Sequence, residues 1–432
     1  MIARLVVADL VAGWRTWLGA FVVLFLSGVV ALVCAGDVST ARAMDDPEQA
    51  AALMNHAMIY SAMNGLVVVG GVALLVGYAV RLQRTRHALW QFAGLTPRSI
   101  AAVVLAQVAT VSVLALVAAS IAVVPVLDLL LNGLSRPVRA DPDAPLVSIA
   151  LSPGPVAVAA LVHVGVAVAS AGLAARRAGR TPALVAVRRS LDETVRPGVG
   201  RLVATGLTGV LAVGAYVGYL LGDRGVTGLF PIAFIALFAA AAPWLTGTVM
   251  RLWTAVLPAG VGTTWFVARR NALHAVARSQ ASVALLAVAA ALGAFTGTIG
   301  LWDDPGTLVQ GLALFGVPVA IVLLTAGTTI FMATPDRRRE SAALVVAGMT
   351  WRAVTLAAAI EALVVTGTAG LVATVLALPA TIVPFAGQQA VDSLRPLPWV
   401  LLVGFTLVVV LSIAPVLAAR RRPLVHELGV AA

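Results

Sequence analysis

The chain has 432 residues, 61% hydrophobic and 11% charged, with a formal net charge of +11 at pH 7. Soluble domains carry about 25% charged residues, so the composition excludes an ordinary soluble protein and places the chain in a membrane. All 29 basic residues are arginines and the only cysteine is Cys34, which excludes a Walker A loop, an internal disulfide and a cysteine-based metal site.

In chain order, the first feature is ARLVVADLVAGWRTWLG, residues 3–19, which is amphipathic, cationic and aromatic. Such a stretch is expected to lie along the membrane interface before the chain turns inward. The apolar run behind it lacks a small-residue cleavage site and is expected to be a span, not a removed signal. A bilayer core of about 30 Å needs roughly 20 apolar residues in a helix. Ten stretches qualify: 16–36, 61–82, 99–127, 153–174, 202–222, 228–250, 280–301, 309–333, 353–383 and 397–419.

Ten spans put both termini on one side. Arg4, Arg15 and the segments 81–98, 176–201, 251–278, 337–352 and 420–422 hold 24 arginines, against Arg42, Arg136, Arg139, Arg224 and Arg395 in the opposite loops. By the positive-inside rule the arginine-rich side, with both termini, is cytoplasmic. Acids take the other side, among them Asp37, Asp45, Asp46, Glu48, Asp128, Asp303, Asp304 and Asp392. The basicity therefore reflects topology and contact with anionic lipid, and nucleic acid is excluded as a partner.

Two arginine-bearing segments resemble each other. RTRHALWQFAGLTPR (84–98) and RRESAALVVAGMTWR (338–352) share Arg84/Arg338, Ala88/Ala342, Ala93/Ala347, Gly94/Gly348, Thr96/Thr350 and Arg98/Arg352 at one offset of 254. Pro125/Pro379 and Gln107/Glu361 keep that offset, and the closing spans end alike in AARRAGRTPALVAV (174–187) and AARRRPLVHEL (418–428). WFVARRNALHAVARSQAS, before the seventh span, matches the amphipathic start of the chain. The reading is an all-α polytopic membrane protein of about ten spans. A four-span unit at 1–190 and another at 262–428 are joined by a two-span bridge at 200–250.

Each repeated segment is expected to form a short helix, Arg86–Phe92 or Glu340–Val346. Gly94 and Gly348 would end those helices in the left-handed conformation, and Thr96 and Thr350 would cap the long span that follows. A stiff cytoplasmic helix and turn joined to a membrane helix suits docking a partner and passing its movement inward.

These motifs resemble the FtsX-like (MacB-like) permease family of ATP-binding cassette transporters. Four-span units of that family carry an arginine-rich loop with a GxT turn between the second and third helices, and an ARR…P…AL exit after the fourth. The resemblance implies that the loop holds a coupling helix docked on a separate cytoplasmic ATPase. It carries that role onto Arg84, Gly94, Thr96 and Arg98, and onto Arg338, Arg339, Glu340, Gly348, Thr350 and Arg352. Arg86 and His87 stand where the second loop has Glu340 and Ser341, which implies two unequal contacts. With both units in one chain, two ATPase copies are expected per permease. ATP and Mg are expected on the partner, with no cofactor on this chain. Only short outer loops follow the first and seventh spans, which favours an amphiphilic substrate drawn from the bilayer: a lipid, a drug or a hydrophobic peptide. The setting implied is a bacterial cytoplasmic membrane.

Glu361 is the one acid deep in an expected span, about 13 Å beyond Arg352. Intramembrane carboxylates are functional candidates, but Gln107 in the matching position suggests a polar contact between units. His163 is expected to be a hydrogen-bonded packing residue. His56, His87, His274 and His426 show no metal-ligand spacing, and no nucleophile–base arrangement suggests an enzyme. Small-residue spacings such as GAYVG (214–218) suit close helix packing, and Met44, Met54, Met58 and Met63 surround the first outer loop. Two alternatives remain open: an ion-gradient-driven secondary transporter, whose folds also use repeats, and a non-transporting signal relay.

Overall fold

The computed structural model describes residues 2–126, 151–180, 199–221, 229–256, 262–274, 276–298, 316–382 and 395–420, all helical or in short connections, with no strand among them. The exit segments 181–187 and 421–428, most of the expected loop at 128–152, and Asp303, Asp304 and Asp392 lie outside these residues. The chain divides into two compact units, one of residues 1–193 with 303–321 and the other of 194–302 with 322–432.

In the first unit α1 (Ile2–Ala12) runs into α2 (Trp14–Ala43), and α3 (Pro47–Leu82) returns. Asp46 caps α3 by accepting from the backbone of Glu48 at 2.9 Å, and Pro47 opens it; Asp at the cap and Pro at the first turn both favour a helix start. After Gln83 come α4 (Arg84–Phe92) and α5 (Pro97–Val123), then α6 (Pro153–Arg180). Helices α2, α3, α5 and α6 pack as a four-helix bundle, with α1 against α5 and α2, and α4 touching α3, α5 and α6. Small residues let the backbones approach: Gly28 faces Ala119, and Gly179 lies against the backbone of Pro97.

The second unit holds α7 (Val199–Leu220), α8 (Leu229–Val256), α9 (Thr263–His274), α10 (Val276–Thr298), α12 (Thr334–Val346), α13 (Trp351–Ile382) and α14 (Pro396–Arg420). The division between units falls within α11 (Val317–Met332). Helices α10, α13 and α14 pack together, α9 lies on α13, and α12 touches α13 and α14. Helix α11 joins them through Ser282 and Thr329 hydroxyls 2.9 Å apart and through Gly327 against Leu407 and Leu411. Of the bridge helices, α8 packs on α10 and α13, with the Trp253 indole donating to Thr368 at 2.9 Å.

Among the described residues, helices lie within all ten expected stretches. Six helices among the described residues are long and apolar enough to cross a membrane: Thr16–Ala43, Pro47–Leu82, Pro97–Val123, Pro153–Gly179, Trp351–Val375 and Pro396–Arg420. Val317–Met332 and Arg337–Val346 form a pair bent by 49°, and the apolar helices at Leu202–Gly218 and Ser282–Gly293 are shorter. The chain is thus an all-α polytopic membrane protein. The GAYVG spacing does not make a close contact at Gly214, where a Cβ would meet nothing within 4 Å. Met63 is buried, whereas Met54 and Met58 are exposed one turn apart on α3.

Candidate functional site

The repeated segments form the same local structure twice. Gly94 has φ +90° and Gly348 φ +99°, and no other described residue has a positive φ. Behind Gly94, the Leu95 amide donates to Trp90 O at 2.9 Å and the Gly94 amide to Gln91 O at 3.0 Å. Behind Gly348, Met349 donates to Leu344 O and Gly348 to Val345 O, both at 3.0 Å. This paired bonding satisfies the last carbonyls of a helix, and only glycine enters it freely. Thr96 Oγ1 then accepts from Ser99 N at 3.2 Å and Thr350 Oγ1 from Ala353 N at 3.3 Å, capping α5 and α13. Both short helices begin earlier than expected, at Arg84 and Thr334.

The faces of α4 and α12 correspond. His87 and Ala88 are buried, as are Ser341 and Ala342 in the matching positions, while Leu89 and Phe92 are exposed, as are Ala343 and Val346. Helix α4 therefore presents a larger apolar pair beside exposed Thr85 and Arg86; α12 presents a smaller one beside exposed Arg339 and Glu340. Arg98 and Arg352 are exposed at the first turns of α5 and α13, and Arg338 is half-buried. Each helix is held from behind. Gln91 donates to Gly179 O at 3.1 Å, and His87 meets Trp90 edge-on at 5.3 Å. In the second unit Leu344, Val345, Met349 and Trp351 pack on Val354, Ala358 and Val416.

One ion pair ties each helix to its unit, and the two pairs are built differently. In the first unit Arg86 of α4 donates to Asp9 Oδ1 of α1 at 3.1 Å, and Gln107 of α5 donates to Asp9 Oδ2 at 2.8 Å. In the second, Arg337 of α12 donates to Glu361 of α13 at 3.0 Å. Gln107 and Glu361 thus find partners within their own units. Burial holds the His87 imidazole below its ordinary value of 6.5, Arg86 adds to this, and Asp9 opposes it.

The far end of the first unit holds groups that the sequence reading left scattered. Asp37, expected to face outward, is buried, and its Oδ2 lies 2.7 Å from Nδ1 of buried His56. His56 stacks on Tyr60, with ring centroids 5.0 Å apart. Asn64 donates to Ser27 O at 3.1 Å, and Ser27 Oγ lies 3.4 Å from His163 Nδ1, consistent with a packing role for His163. Cys34 is buried nearby. Asp37 and His56 sit nineteen residues apart across a helical hairpin, a separation no short motif reports. No group of three or more metal-ligating side chains occurs among the described residues.

A short helix, a left-handed glycine and a capped span thus lie between the second and third membrane helices of a polytopic helical protein. Residues 58–183, from the middle of α3 into the segment after α6, match the family model described as FtsX-like permease C-terminal, so this segment is similar to the FtsX-like permeases. Curated proteins returned no match to the chain.

Proposed function

We propose that the chain is the membrane subunit of an ATP-binding cassette transporter of MacB-like type, with α4 and α12 as coupling helices, each docking one copy of a separate cytoplasmic ATPase. The observation that carries this is the doubled helix–glycine–threonine segment, with an apolar pair facing outward and a small or neutral pair packed inward. A docking helix needs such a face, and it needs a stiff joint to a membrane helix if it is to transmit force. The parallel pairings of α1 with α5 and of α9 with α13 support duplication of a four-span unit, with α7 and α8 as an insertion between the copies. Having no lysine, the chain relies on its partner for ATP and Mg. Short outer connections support a substrate taken from the bilayer, such as a lipid, amphiphilic drug or hydrophobic peptide, exported across a bacterial cytoplasmic membrane with both termini inside.

The test is gentle purification of the tagged chain from its host, followed by identification of bound proteins. A lysine-bearing P-loop ATPase is expected, and it is lost when Leu89→Asp and Val346→Asp are combined. The buried Asp37–His56 pair favours a second reading, a carrier driven by an ion gradient, because such carriers use buried ionisable groups. Flux in vesicles that contain no ATPase, driven by a proton gradient and abolished by His56→Ala, would establish that reading instead.

A further inference from the structure

The junction around Asp9 has more hydrogen-bonding capacity than it uses. Asp9 is 7% exposed and already engages Arg86 and Gln107. Gln83 Nε2, both ring nitrogens of His87 and Gln107 Oε1 are buried with no protein hydrogen-bond partner. Their residues are 5%, 2% and 0% exposed. Gln83 and Arg86 reach the same spot. A Cβ at Gly13 would lie 3.0 Å from Asp9 O, 3.3 Å from Gln83 Nε2 and 3.4 Å from Arg86 Nη1. Gln83, Arg86 and His87 share one face where α3 gives way to α4, and the His87 amide donates to Gln83 O at 3.0 Å.

We propose that Asp9 is a positioning residue that hands displacement of α4 to the interfacial helix α1, its carboxylate exchanging Arg86 and Gln107 for the waiting donors Gln83 and His87. This rests on α4 being the helix that an ATPase moves. A buried carboxylate is costly unless it is paired, so α1 stays with α4 through any movement that keeps a donor beside Asp9. Several donors on one face give the junction two discrete arrangements, as an element that switches requires. Neutralising Arg86 does not by itself explain the arrangement. The second unit pairs its arginine with an acid on the third span, Glu361, whereas the first unit has neutral Gln107 there and draws its acid from α1. What α1 does with the movement follows from its other face. Val7 and Val11 are exposed one turn apart on α1, so a tilt of α1 is felt by the lipid of the adjoining leaflet.

The test uses the chain with its copurified ATPase in lipid nanodiscs and an environment-sensitive fluorophore on Val11→Cys; native Cys34 is buried and stays unlabelled. Trapping with ATP and vanadate is expected to shift the emission in the wild-type background and with Asp9→Glu. The shift is expected to vanish with Asp9→Asn and with the pair Asp9→Asn/Gln107→Glu, which moves the carboxylate onto α5. ATPase binding and turnover are retained in that pair. A shift that persists in Asp9→Asn overturns the proposal. So does one restored by Gln107→Glu, since neutralisation of Arg86 would then suffice. If no ATPase copurifies, the coupling-helix reading falls and this inference with it; an ATPase that binds and turns over while α1 stays silent in the wild-type background overturns the inference alone.

Discussion

The Arg337 guanidinium donates to the Glu361 carboxylate at 3.0 Å, with the two side chains 14% and 12% exposed. This pair joins α12 to α13 just below the exposed face of the short helix. Removing one partner strands the other, at a cost of about 2–3 kcal/mol, below the roughly 3–5 kcal/mol of a fully buried pair because both keep some solvent contact. Glu361→Ala and Arg337→Met are each expected to lower the thermal unfolding midpoint in nanodiscs. The double variant Arg337→Met/Glu361→Leu is expected to recover most of the loss. Equal loss in all three would show that the pair contributes through packing alone.

At Gly94 and Gly348 a Cβ would meet nothing within 4 Å, so any penalty for a larger residue comes from the backbone. A left-handed conformation costs an L-residue about 1–2 kcal/mol. Gly94→Ala and Gly348→Ala are expected to lose that much stability and to fray the ends of α4 and α12. Hydrogen exchange should quicken at Leu95 and Met349, whose amides close the two turns.

Gly179 offers the opposite case. A Cβ there would collide with the carbonyl of Pro97, which is backbone and cannot rotate away; at Gly404 the nearest atom is the end of the Leu286 side chain. Gly179→Ala is expected to cost about 3 kcal/mol, at the top of the overpacking range, and Gly404→Ala about 1 kcal/mol. Comparing the unfolding midpoints of the two variants checks this ordering.

The docking of α4 is expected to weaken in acid. His87 is neutral while buried, its pKa held below 6.5. When α4 is undocked, the imidazole meets water and regains its ordinary value. Between the two values the undocked state binds more protons, so the docked state is fully favoured above about pH 6.5 and loses stability as pH falls below it. Asp9 on α1, with Arg86 and Trp90 on α4, surrounds the ring. Exchange of α4 amides, corrected for intrinsic rates, is expected to rise between pH 7.5 and 5.5, and His87→Gln to remove that dependence.

Local chemistry was legible in the sequence where a few adjacent residues decide it. The turns at Gly94 and Gly348, the caps at Thr96 and Thr350 and the long apolar helices follow from spacing and residue type. The partners of the ionisable residues were not legible. Asp9 and Arg86 are 77 residues apart, Asp9 and Gln107 are 98 apart, and Asp37 meets His56 across a hairpin. Hydropathy assigns an acid near a span end to water because it cannot see a neutralising side chain on the next helix. Gln83 carried no signal; only the crowding at Gly13 shows its place.

Helix α3 is 36 residues long, about 54 Å at 1.5 Å per residue, against a hydrocarbon core of about 30 Å. It overshoots the bilayer and carries Asp45 and Asp46 at its far tip. At the arginine-bearing end only Gln83 separates it from α4, and two backbone bonds meet at that residue: Gln83 N donates to Ala79 O, and His87 N to Gln83 O, each at 3.0 Å. With α4 as the proposed coupling helix, its displacement is expected to reach the opposite surface of the membrane, where a label or an antibody at the acidic tip would register an event that takes place on the arginine-bearing side.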